Sequence, residues 1–159
     1  MFSSIRRSAA FAAAALALLG TVPAGAHHGF TGAYDAQRPI YMEGTVQRVT
    51  VAYPHVELTL QVSSRAQVPG TLPKIDDLGI ADAMKLMTSA APGSYALQVA
   101  GLQTEVEGRI AAGDKIALVA LRNCLPPNQH RTRWIRIASG DVVSLSGRAQ
   151  TEVAGCAKS

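Results

Sequence analysis

The sequence predicts a mainly β domain: a small antiparallel β-barrel with one inserted helix, or alternatively a β-sandwich. Three observations lead there. Short segments of alternating apolar and polar residues recur from residue 43 onward, and glycines punctuate them. Only one stretch, residues 75–90, has its apolar residues at helical spacing.

Residues 1–26 read as a cleaved export signal. Arg6 and Arg7 form a positive n-region, and AAFAAAALALL (residues 9–19) is an apolar h-region. Pro23 breaks it, and Ala24-Gly25-Ala26 fits the small-x-small cleavage pattern. The apolar run is shorter than the roughly 20 residues that span a bilayer. The context IRRSAAF fits the ordinary secretory route better than the twin-arginine one. The mature chain, residues 27–159, is then a single exported domain, periplasmic or secreted.

Along that domain, residues 30–42 read as an extended lead-in. EGTVQRVTVAYPHVELTLQV (residues 43–62) is the first strong strand signal. Val56, Leu58, Leu60 and Val62 alternate with His55, Glu57, Thr59 and Gln61, giving one apolar and one wet face. The apolar phase slips between Val46 and Val49, which predicts a bulge near Gln47-Arg48, and Tyr53-Pro54 separates two strands. Ile80, Ala83, Met84 and Met87 predict a core-facing helix over 75–90, with Asp76 or Asp77 as its cap. Strand patterns resume at residues 94–100 and continue around TEVEGRI, then at 113–121, 132–138 and 141–147. This number of short strands with one helix fits a five-stranded barrel of the oligonucleotide/oligosaccharide-binding (OB) type. Val46, Val56, Leu58, Leu60, Ile116, Leu118, Trp134 and Ile137 are expected to share its core.

Composition narrows the function. The chain has 15 basic and 11 acidic residues. Removing Arg6 and Arg7 with the signal leaves 13 against 11, a net +2, with no basic-aromatic pattern for nucleic-acid binding. No mature segment is apolar enough to span a membrane. The two cysteines, Cys124 and Cys156, are expected to form a disulfide in an exported protein. GxSxG and HExxH motifs are absent, and neither cysteine has a catalytic context, so a non-enzyme is the expectation and an enzyme is possible only through copper.

The histidines carry the metal reading. Cleavage after Ala26 makes His27 the N-terminal residue, whose α-amine and Nδ1 chelate one metal ion. Cleavage after Ala24 makes it the third residue, a square-planar site for Cu(II) or Ni(II). His55 is the candidate third nitrogen, with Glu57 on the same face to orient it. His28 and His130 are weaker candidates. Copper is the expected cofactor, and a carrier or buffer the expected role. The alternative is a metal-free binding or adaptor module whose barrel face holds a protein or small ligand.

Ala26-His27-His28-Gly29-Phe30, Glu43-Gly44-Thr45-Val46, Pro54-His55-Val56 and Gly113-Asp114 resemble landmarks of DUF6152, an uncharacterised family of exported bacterial proteins. Gly29 and Tyr53 stand where the family usually has Ser and Asn, and residues 63–93 look like an insertion. The resemblance implies an exported small β domain and supplies no activity.

Overall fold

The computed structural model describes residues 32–52 and 55–157. The signal peptide and its cleavage site, His27, His28 and the Tyr53-Pro54 break lie outside those residues. Among the described residues no helix is long and apolar enough to cross a membrane.

Among the described residues nine strands form: β1 (Tyr34–Asp35), β2 (Ile40–Ala52), β3 (His55–Val62), β4 (Thr88–Ser89), β5 (Gly93–Val99), β6 (Lys115–Arg122), β7 (His130–Arg136), β8 (Val142–Ser144) and β9 (Glu152–Val153). Five of them, in the order β3-β5-β7-β6-β2, close into a barrel because β2 also pairs with β3. Within the barrel β5 and β7 run parallel and every other pair is antiparallel. This is the strand order of an OB barrel, and it excludes the sandwich.

β2 makes the closure possible. Residues 40–45 pair with β6 and residues 45–52 with β3, and the register shifts between Val46 and Arg48, where the bulge was expected. A bulge bends a strand and strengthens its twist, as a strand serving two neighbours requires. Gly44 sits at the handover, where a Cβ would collide with the Gln61 carbonyl. The EGTV motif therefore needs its glycine for close backbone approach.

Two cores share the barrel wall. Inside lie Met42, Val46, Val56, Leu58, Leu60, Leu97, Val99, Ile116, Leu118, Ile135 and Ile137. Outside, Tyr41, Ala117, Val119, Leu121 and Trp134 pack under the insertion through Leu72, Ile75, Leu78, Ile80, Ala83 and Met87. Trp134 thus belongs to the outer core, contrary to expectation. It is three residues from Ile137, and a strand's period of two puts such residues on opposite faces. The Trp134 indole also donates to the Pro73 carbonyl at 2.8 Å, which fastens the insertion to the barrel.

Three other local expectations are corrected. The helix over 75–90 is instead a 3-10 turn (Ile75–Leu78) and one helical turn (Ala83–Leu86). Gly79 and Asp82 take positive φ, 65° and 55°, which ends any right-handed helix between them. Neither turn has a side-chain cap; Asp77 instead accepts from the Ser144 hydroxyl at 2.9 Å. TEVEGRI is not a strand. Gln103–Val106 is a helical turn that brings Leu102, Val106 and Ile110 to the barrel core. Finally, the lead-in is not merely extended chain, for it contains β1 and the start of β2, with Tyr41 and Met42 fully buried.

Candidate functional site

The outward face of β3 carries the residues that the sequence placed on its wet face. Val56, Leu58, Leu60 and Val62 turn inward, while His55 is half-buried and Glu57 exposed on the other side. Glu57 lies between Thr50 of β2 and Gln98 of β5, and Thr59 lies between Arg48 and Ala96. Arg48, Thr50, Glu57, Thr59, Gln98 and Gln129 line a shallow cleft of about 80 Å³. The side-chain oxygen of Gln98 is buried there without a hydrogen-bond partner, an arrangement that costs free energy unless a donor fills it.

His130 starts β7, opposite Leu97 of β5 and Arg122 of β6. Its ring meets Tyr95 edge-on, with centroids 5.4 Å apart. Burial, then the charge of Arg122, holds its pKa below the usual histidine value. The imidazole is therefore neutral at neutral pH, as a metal ligand must be, but the nearby cation opposes a metal ion. β7 is antiparallel to β3 through β5, so His55 and His130 mark opposite ends of the barrel. Among the described residues no three His, Cys, Asp or Glu side chains gather as a metal group.

The chain enters the barrel at the β6–β7 turn. Ala33 donates to the Asn123 side chain at 3.1 Å and accepts from the Cys124 amide at 2.7 Å. β1 then pairs in parallel with β9. Cys124 and Cys156 are disulfide-bonded, with Cα atoms 5.3 Å apart. The bond therefore joins the two segments that flank β1, the Asn123–Cys124 turn on one side and the C-terminal tail on the other.

The model of the family of unknown function DUF6152 matches residues 15–70. This is the family that the sequence resembles. No curated protein matches. Among solved structures, the small single-stranded DNA-binding protein from Streptomyces coelicolor is similar at 15% identity, over 70% of this chain and 92% of that one, with a TM-score of 0.36. The DUF6152 match takes in His27, His55 and Glu57 and the EGTV strand, and ends before His130 and Gly113-Asp114.

Beyond the DUF6152 match, the structure shows a buried polar cluster that sequence reasoning missed. Arg133 is 2.9 Å from the Glu152 carboxylate, with side-chain exposures of 6% and 0%. Arg133 also donates to the Leu78 and Gly147 carbonyls, and Arg131 to the Thr151 hydroxyl at 2.6 Å. The Arg131 guanidinium lies over the Tyr34 ring, 4.1 Å from its centroid. Burial works against both guanidinium charges, and Glu152 offsets part of that cost. Arginines in a strand read as solvent-facing. The one available signal was HRTRWIR, where Arg131 and Arg133 flank the buried Thr132 beside the apolar Trp134 and Ile135.

Proposed function

We propose that the protein is exported and acts as a small copper-binding barrel, a carrier or buffer whose ligand set begins at the mature N-terminus. Cleavage after Ala26 frees the His27 amine, and that amine and Nδ1 close a chelate on one Cu(II), with His28 beside it. The observation that carries the reading is the anchor at Ala33, which fixes the chain at the rim of the barrel a short stretch after His27. The disulfide supports an oxidising compartment, where Cu(II) is the stable state. His55, oriented by Glu57, is the third nitrogen that the sequence suggests. The stretch from His27 to Ala33 reaches at most roughly 20 Å, and the anchor lies at the end of the barrel where His130 begins β7. His130 is thus the competing donor.

Mass spectrometry of the exported protein reads its true N-terminus, and Cu(II) titration reads the site. About one Cu(II) per chain with a nitrogen-rich tetragonal spectrum is expected. One residue added before His27 should weaken binding sharply, because an internal histidine lacks the amine. His55→Ala and His130→Ala then separate the two donors. A Gly25-Ala26-His27 terminus would be indifferent to both. Equal affinity with and without the added residue overturns the terminal chelate.

A metal-free binding module is the second reading. The orphaned oxygen of Gln98 favours it, lying in a cleft on β3 and β5, the second and third barrel strands. That face commonly binds ligands in barrels of this type, a fold-level analogy. Correctly processed protein that binds no copper would leave this reading standing.

A further inference from the structure

We propose that the groove at the margin of the insertion is a binding site for a small organic carboxylate. The groove lies on the outer face of β2, β6 and β7, at the edge of the insertion, whose first residues help to line it. Glu43, Ala117 and Arg136 form one row across its floor. Ser63 and Ser64, leaving β3, form one wall, and the turn after β7 forms the other. Its volume is about 520 Å³, within the range of roughly 300–1,000 Å³ typical of small-molecule sites.

The polar groups of the groove are arranged for an anion. Arg136 donates to the Tyr41 hydroxyl at 2.9 Å and lies 3.9 Å from the Glu43 carboxylate. The Tyr41 hydroxyl in turn donates to Glu43. Tyr41 is fully buried, and burial, reinforced by Glu43, pushes its pKa up to about 12. The phenol therefore stays protonated and braces the guanidinium from below at any physiological pH. A guanidinium has five N–H donors in a rigid fork that matches a carboxylate, and Tyr41 takes one of them. Lys115 supplies a second, exposed cation at the groove. Two cations against Glu43 leave one net positive charge for a monoanion. Ala66, half-buried, and Ala138, exposed, supply apolar surface at the groove, and Ser63 and Ser64 offer hydroxyls at the edge. A carboxylate on a small apolar body fits that mixture better than a bare inorganic anion, which would leave the apolar surface uncovered. The site uses no histidine and no residue before Tyr41, so it is independent of the copper reading.

Benzoate is the probe, followed by amide NMR shifts on the full mature chain, with benzamide as the uncharged control. Saturable shifts at Thr45, Ser63, Ser64 and Lys115 are expected with benzoate and not with benzamide. Arg136→Gln should weaken binding roughly ten- to hundredfold, the effect of losing a charged hydrogen bond. Lys115→Gln alters only an exposed side chain, so it tests the charge without risk to folding, and it should weaken binding severalfold. Equal shifts with benzamide, tighter binding of inorganic phosphate than of benzoate, shifts confined to other faces, or unchanged affinity in Lys115→Gln and Arg136→Gln would each overturn the proposal.

Discussion

Glu152 and Arg133 set the price of burying charge in this molecule. Their side chains are withdrawn from water, 2.9 Å apart. Removing one partner of such a pair strands the other, at about 3–5 kcal/mol. Glu152→Gln should therefore lower unfolding stability by about that amount in urea melts. The double variant Arg133→Met/Glu152→Leu should recover most of the loss. Asp141→Asn should change stability by less than about 1 kcal/mol, because its pair with Arg109 is exposed. His130 makes a prediction of the opposite kind, in pH rather than in sequence. Its folded pKa lies below the ordinary value, through burial and Arg122. As pH falls past about 6.5, the unfolded chain takes up the proton first. The contribution of His130 to stability is thus complete above that pH and is lost as pH drops through the folded pKa. His130→Gln should remove that slope, and an unchanged pH profile would count against the assignment.

At the scale of elements, the clearest reading came from alternation. VELTLQV and the out-of-phase valines before it located β3, the bulge and the inward residues of the barrel. Cysteine counting in a chain read as exported located the disulfide. What could not be read was set by tertiary contact. β6 is buried on both faces from Ile116 to Leu121, so alternation there cannot tell one core from the other. The apolar residues of 75–90 are largely buried as expected, yet the backbone follows Gly79 and Asp82 into left-handed turns rather than a helix. Leu102, Val106 and Ile110, four residues apart, were a helical signal that strand-like flanks obscured. Of the candidate site, His55 and Glu57 were correctly put on one outward face, while Arg136 was invisible because it meets Tyr41 and Glu43 of β2 only across strands. Two element-scale variants follow. Gly44→Ala should cost about 1–3 kcal/mol, the usual range for overpacking, since its Cβ meets the backbone of β3. The disulfide closes a sequence separation of 32, worth roughly 3–4 kcal/mol in the chain-entropy model. Cys124→Ser/Cys156→Ser should lower stability by about that much. Its first local effect should be faster hydrogen exchange at Tyr34 and Ala36, whose amides bond to Thr151 and Val153 of the tail.

At the scale of the whole molecule, the two cores are joined by shared walls rather than by a linker. Ile116, Leu118 and Ala120 of β6 face the inside of the barrel, while Ala117, Val119 and Leu121 face the insertion. β7 is divided in the same way, with Ile135 inside and Trp134 outside. Neither core can melt without removing a wall of the other, so the domain should unfold as one cooperative unit. The chain contains one tryptophan, and Trp134 is fully buried in the outer core. Its fluorescence therefore reports the insertion side, whereas far-UV circular dichroism reports chiefly the barrel. Both probes should give the same midpoint in urea. Leu58→Ala removes a side chain from the barrel core alone and should cost about 2–5 kcal/mol. It should nevertheless move the fluorescence midpoint as far as the circular dichroism midpoint. A variant whose barrel signal shifts while Trp134 keeps its wild-type transition would show that the insertion and the barrel are separate folding units.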